Sequence, residues 1–139
     1  MSFLLDTNLV SEWIKPSPNL GVVHWMADAD EDRLFMSVIT LTELRYGIER
    51  LAKSNRKKRL DEWVDGELLP RFEGRILGID SATANVCGTL IAHSEATGRR
   101  VDPMDGFIAA TAEVHGLTLV THTVAHFQSI VTDLVDPWI

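Results

Sequence analysis

Apolar residues in this chain fall into short unbroken runs and longer periodic stretches, each closed by polar or turn-forming residues. Phe3–Leu5 is a short run that stops at Asp6-Thr7-Asn8, which predicts a buried strand feeding a helix. That helix is expected over Leu9–Ile14, ended by Lys15-Pro16-Ser17-Pro18, with another over Val22–Ala29, closed by Asp30-Glu31-Asp32. Leu34–Ser37 reads as a second strand. From Thr40 a helix carries Leu41, Leu44, Ile48 and Leu51 three, four and three residues apart, which makes one apolar face. A further helix is expected over Leu60–Leu69, stopped by Pro70, and a third strand over Ile76–Ile79, stopped by Asp80-Ser81. Ala82–Thr97 is a helix closed by Gly98, and Asp105–Val114 is a helix ended by His115-Gly116. Leu117–Val120 and Leu134-Val135 complete the set as a fourth and a fifth strand.

Strands alternating with longer helical segments predict an α/β fold with a parallel sheet and helices on both faces. The chain has 139 residues, a length that suits one domain over 1–139, and it shows no repeat or flexible linker. Cys87 is the sole cysteine, so no internal disulfide forms, and its apolar helix makes it a small buried hydrophobe. Thirteen Lys and Arg against twenty Asp and Glu give 13 − 20 = −7. That balance argues against coating nucleic acid by bulk charge and leaves room for carboxylates gathered around a metal. No apolar run approaches membrane length, and Asp6 interrupts the N-terminal run before a signal-peptide core forms. The expectation is a soluble, cytoplasmic protein with no membrane partner.

Ligands of open α/β sheets bind where strands end at their carboxyl edge. Asp6 stands there after the first strand, Glu43 lies one turn into the helix after the second, and Asp105 begins the helix before the fourth. Three carboxylates from three segments suit Mg²⁺ or Mn²⁺, which take a few carboxylates and keep several waters. The same residues also fit helix starts: Asp6 and Asp105 as N-caps, and Thr40 with Glu43 as a capping box. Spacing alone leaves both readings open.

The words around these acids narrow the choice. Leu4-Leu5-Asp6-Thr7-Asn8, Thr42-Glu43-Leu44-Arg45-Tyr46-Gly47 and Asp105-Gly106-Phe107-Ile108-Ala109-Ala110-Thr111-Ala112 resemble the PIN-domain ribonucleases, and more narrowly the VapC-type toxins of bacterial toxin–antitoxin pairs. Leu119-Val120-Thr121 matches a fourth motif. The resemblance implies a PIN-like fold, a parallel central sheet of four to five strands, and Mg²⁺- or Mn²⁺-dependent endonuclease cleavage of RNA. By motif match Asp6, Glu43 and Asp105 are the catalytic, metal-binding acids, and Thr7 supports them. It also implies a homodimer and a cognate VapB-type antitoxin. The family usually continues its fourth motif with an acid, whereas here Thr121-His122-Thr123 leaves Thr123 in its place. Asp102, three residues before Asp105, is a substitute for it or part of the turn at Pro103. A metal-dependent endoribonuclease toxin is the reading; a catalytically weak or inactive PIN-like binding protein is the alternative that the missing acid motivates.

Other features bear on the partners. Arg45, Arg50, Lys53, Arg56, Lys57, Lys58 and Arg59 face a single acid, Glu49, over fifteen residues. The run suits an RNA backbone or a solvated helix face, and Arg99-Arg100 lies nearer to Asp105 in sequence. The RNA-contact set is therefore Arg45, Arg56, Lys57, Lys58, Arg59, Arg99 and Arg100. His122 and His126 have the spacing of a zinc pair without an obvious third ligand. The tryptophans read as core or interface filler. A receiver domain or phosphatase also places acids at strand ends, but needs a late lysine; Lys15, Lys53, Lys57 and Lys58 all precede the midpoint.

Overall fold

The short apolar runs become strands because their neighbours in sequence cannot extend them. The computed structural model describes residues 1–139. Five strands, β1 (Phe3–Leu5), β2 (Leu34–Ser37), β3 (Ile76–Leu77), β4 (Thr118–Val120) and β5 (Leu134–Val135), form one parallel sheet in the order β3-β2-β1-β4-β5. Leu4 lies level with Phe35 on one side and Leu119 on the other, and Leu5 with Val120.

Side chains on a strand alternate between its faces, and each face here builds its own core. Leu5, Leu34, Met36 and Val120 point to one, where they meet Leu9 and Val10 of α1 (Thr7–Glu12), Val22 of α2 (Leu20–Asp28) and Leu44 of α3 (Val38–Glu49). Leu68 and Phe72 close that core from the segment containing α4 (Asn55–Trp63) and α5 (Leu69–Arg71). Leu4 and Leu119 point to the other face. There Leu90 and Ile91 of α6 (Ser81–Ala96), Ile108, Ala109 and Ala112 of α7 (Pro103–His115), and Phe127 of α8 (Val124–Phe127) cover them. β1 is the central strand, and the chain continues to β2 on one side and pairs with β4 on the other. The crevice between the carboxyl ends of β1 and β4 is the place such a sheet offers a ligand. No helix is long and apolar enough to cross a membrane.

Helix starts are where the structure departs from expectation. α3 begins at Val38, because the Ser37 hydroxyl accepts from Ile39 N–H at 3.0 Å. Thr40 is therefore buried inside the first turn, and the Thr40–Glu43 capping box does not form. α7 begins at Pro103 with Asp102 as its cap, accepting from Met104 N–H at 2.8 Å. Asp105 sits within the first turn and is freed from capping. Asp6 does cap α1, so the helix opens at Thr7 instead of Leu9. Ser54 caps α4 at Asn55, five residues before the expected Leu60, and winds most of the basic run into helix. The helix also passes Pro70: a π-helical turn over Val64–Leu68, with Leu69 N–H reaching Val64 O, widens the winding just before the residue that cannot donate. β3 is two residues long instead of four, and α8 was not anticipated.

The segment after β5 returns to the start of α2. Asn19 caps α2 through Gly21 N–H and also pairs with both backbone groups of Ile139, at 3.0 and 3.2 Å. A Cβ on Gly21 would lie 2.1 Å from Pro137 O, so only glycine admits this approach. Gly21→Ala is expected to destabilise the protein by about 1–3 kcal/mol, the range for overpacking, in urea unfolding at unchanged m-value. Wild-type stability in that variant would mean that the returning segment does not press on α2.

Candidate active site

Asp6 ends β1 and is almost out of water, 5% exposed. One carboxylate oxygen accepts from Thr7 N–H at 2.7 Å, the other from the Thr121 hydroxyl, just past β4, at 2.7 Å. Burial still dominates: it raises the Asp6 pKa above the usual range despite these two donors, because the charged form is the one that loses most when desolvated. Thr7 turns its hydroxyl the other way and donates to Glu43 Oε1 at 2.7 Å, with the buried Thr40 hydroxyl 3.2 Å away. Glu43 is thereby carried by α3 to the side of α1. Its pKa is raised by desolvation and then by the charges of Asp6 and Asp102.

Asp105, from the first turn of α7, completes the group. Its side chain is only 22% exposed and accepts no hydrogen bond; its nearest basic neighbour is the His126 ring, 3.5 Å away. Desolvation first, and the Asp6 charge second, push its pKa up to about 6. Three carboxylates that each hold protons too tightly share one environment.

Asp6, Thr7, Glu43, Asp102, Asp105 and Thr123 all line one open cleft of about 860 Å³. The proposed RNA contacts do not line it. Arg45 is engaged by Asp61 and Asp65 at 2.7 and 2.9 Å and ties α3 to α4, and Lys57 lies 3.8 Å from Glu49. Arg56, Lys58, Arg59, Arg99 and Arg100 are exposed and make no ion pair. The same cleft gathers residues that the sequence did not single out: Asn8, Glu12, Lys15, Tyr46 and Trp138, besides His122 and His126. Of these, Asn8 and Tyr46 had a signal, since each stands in one of the motif words around the acids; Trp138 had none. The two histidines go to different neighbours, His126 to Asp105 and His122 to Asp136 and Trp138, so the zinc pairing is not formed.

The donor set fits a hard divalent cation. It is all oxygen, and the carboxylates' raised proton affinity is what a cation would relieve. No three acidic, histidine or cysteine side chains stand close enough together to hold an ion by themselves.

A raised pKa has a definite sign in stability. The folded protein binds protons that the unfolded chain has released, so stability attributable to Asp105 falls as pH rises from about 4 to about 6. In EDTA, Asp105→Asn should therefore melt a few degrees above wild type at pH 7.5 and lose most of that advantage near pH 4. A difference that is flat in pH would mean Asp105 is not strained by burial and its neighbours.

Comparison with known proteins adds independent information. Residues 3–123 match the PIN domain family. The chain is 36% identical over 135 residues to the toxin FitB of Neisseria gonorrhoeae, covering 97% of each protein. It is 33% identical over 135 residues to the VapC ribonuclease Y4jK of Sinorhizobium fredii, covering 97% of this chain and 96% of that one. The crystal structure of FitAcB from Neisseria gonorrhoeae superposes with a TM-score of 0.92 at 35% identity, over 98% of both chains.

Proposed function

We propose that this chain, which belongs to the PIN-domain family, is an endoribonuclease toxin of a toxin–antitoxin pair, hydrolysing RNA in the three-carboxylate cleft with Mg²⁺ or Mn²⁺. The observation that carries the reading is Asp105, a carboxylate with no hydrogen-bond donor beside two others whose proton affinity is also raised. Relatives named as a toxin and as a ribonuclease supply the activity class.

Asp6 and Asp105 would hold the ion directly or through water, and Glu43 would ligate or orient the attacking water. The ion, when bound, supplies a water of lowered pKa and neutralises charge on the phosphate. The chain's own part is positional. Thr121 and Thr7 fix the two oxygens of Asp6, and Thr7 fixes one oxygen of Glu43, while the second Glu43 oxygen has no protein partner. Thr123 has its backbone N–H 3.1 Å from the Thr121 hydroxyl and braces that donor; Asp102 adds negative charge at the rim.

RNA would reach the cleft past Tyr46, which lines its edge and carries the Arg50 guanidinium 5.2 Å from its ring centroid. Arg56, Lys58 and Arg59, exposed on α4, are open to phosphates. We place Arg45 outside this contact set, since Asp61 and Asp65 hold it. The reading also includes a homodimer and a VapB-type antitoxin, whose arginines would find bidentate partners among the cleft acids. It takes 1–139 as one PIN domain, because β5 completes the sheet beyond the matched residues, and the cytoplasm as the compartment where RNA and a reduced Cys87 coexist.

Purified protein should cut single-stranded RNA with Mg²⁺ or Mn²⁺ and stop in EDTA. Asp6→Asn, Glu43→Gln and Asp105→Asn should each lower the rate on the order of a hundredfold or more, with far-UV circular dichroism unchanged. Undiminished cutting in EDTA, from preparations shown free of other nucleases, sinks the metal mechanism; inactivity of wild type on a broad RNA panel favours the non-catalytic alternative.

A second expectation concerns Thr123. Thr123→Asp adds a further negative charge beside the acids, which should tighten Mn²⁺ binding in calorimetric titration and lower the melting temperature in EDTA. Unchanged affinity together with unchanged melting would place residue 123 away from the ion.

A further inference from the structure

The wall of the cleft contributed by residues outside the acid site has its own chemistry. The His122 ring stacks on Trp138, with centroids 4.7 Å apart and planes 24° from parallel. Trp138 is brought there by the return of the chain after β5, which Asn19 fixes through Ile139. Asp136 orders both members of the stack, accepting from Trp138 N–H at 3.1 Å and lying 3.4 Å from His122 Nδ1. Asn8, two residues after Asp6, accepts from His122 N–H at 3.4 Å and links this wall to the acids.

One face of His122 is covered by Trp138, yet its side chain remains 55% exposed. The stack is thus held in place inside the cleft, with more than half of the His122 side chain still open to solvent. Lys15 is the only lysine or arginine that lines the same cleft. Buried Glu12 anchors it at 2.8 Å while also holding Asn19 N–H at 2.8 Å, so the cation and the returning segment share a support.

We propose that the open face of His122, backed by Trp138, is a stacking platform for a nucleobase of the bound RNA, with Lys15 taking a nearby phosphate. The platform rests on the part of the proposed function that brings RNA into the cleft, and it names residues that position the strand. Every base offers a π face, so a fixed aromatic plane orders a strand without reading its sequence, and larger bases stack more strongly. A protein side chain on the same plane is the competing occupant. The ordered rings favour RNA, because they stand in the cleft where a strand must pass to reach the acids.

The test uses fluorescence anisotropy with short oligoadenylate and oligouridylate, in EDTA at low salt so that neither is cut. Wild type should bind oligoadenylate several-fold tighter than oligouridylate. His122→Ala should weaken oligoadenylate about tenfold and close the gap between the two, whereas His122→Phe should keep both affinity and gap. Lys15→Ala should weaken both RNAs alike and reduce the salt slope by roughly 0.7, one single-strand phosphate contact. Melting curves confirm that the variants are folded. Equal binding of the two RNAs by wild type, or a gap that survives His122→Ala, overturns the platform. The same preparations are assayed for Mg²⁺-dependent cleavage. Cleavage with no His122-dependent gap refutes the platform alone; a His122-dependent gap without cleavage refutes the nuclease reading and leaves the platform supported.

Discussion

A carboxylate held out of water at the crossing of β1 and β4 sets the terms for everything around it. Asp6 caps α1 and closes the central strand, so it cannot move away from the crevice. Keeping its charge there costs desolvation, which one amide and one hydroxyl offset only in part. Its hydrogen-bonding surroundings are neutral, since Thr7, Thr40, Thr121, Thr123 and Asn8 supply hydroxyls and an amide, and His126 is the one basic side chain that acts on Asp6. Glu43 and Asp105 then add charge of the same sign. Lys15, the cation within the cleft, is already paired with Glu12. Burial and like charge outweigh what the chain itself supplies to offset the three acids, and the functional reading starts from that imbalance.

The protein keeps its own cations elsewhere by the same logic. Arg45 joins α3 to α4 through Asp61 and to the π-helical turn through Asp65, so the helix that carries Glu43 is braced by charge that does not line the cleft. Arg75 donates to the carbonyls of Glu31 and Leu34, and its guanidinium lies over Phe72, 5.0 Å from the ring centroid; this anchors the turn after α5 against the entry to β2. An arginine fixed in such work does not collapse onto Asp6 or Asp105 and quench them. Ion pairs at the surface add little stability; here their placement matters more, because it leaves the acid cluster unneutralised.

Strand positions were legible because each apolar run is bounded by residues that end it, and their parallel arrangement followed from the helices between them. Helix starts were not. A cap is decided by which hydroxyl or carboxylate finds the free N–H groups, and Ser37, Ser54 and Asp102 won over the residues that patterning favoured. That competition had a consequence for the site, since Asp102 took the capping role and left Asp105 without a donor. The three acids could be read from their motif words. Thr7, Thr121 and Thr123 stood in those words too, but their pairing did not, because only the β1–β4 register brings Thr121 to Asp6. Trp138 was invisible for a related reason: its place in the cleft depends on a glycine at position 21 more than a hundred residues earlier.

Threonine at position 123 is intelligible within this balance. Its backbone N–H and hydroxyl both lie 3.1 Å from the Thr121 hydroxyl, the group that donates to Asp6. A neutral side chain there supports the donor and adds no charge to a group of acids already disfavoured by burial. On the opposite side, His126 lies 3.5 Å from Asp105 and lowers that residue's pKa without overcoming desolvation. The chain has therefore limited the repulsion among its acids from two directions while leaving their oxygens available. A fourth carboxylate would strengthen the pull on a cation and raise the cost of standing without one. With three, burial already raises the pKa of every acid and like charge adds to it at Glu43 and Asp105, while the hydroxyl donors and His126 offset part of that cost.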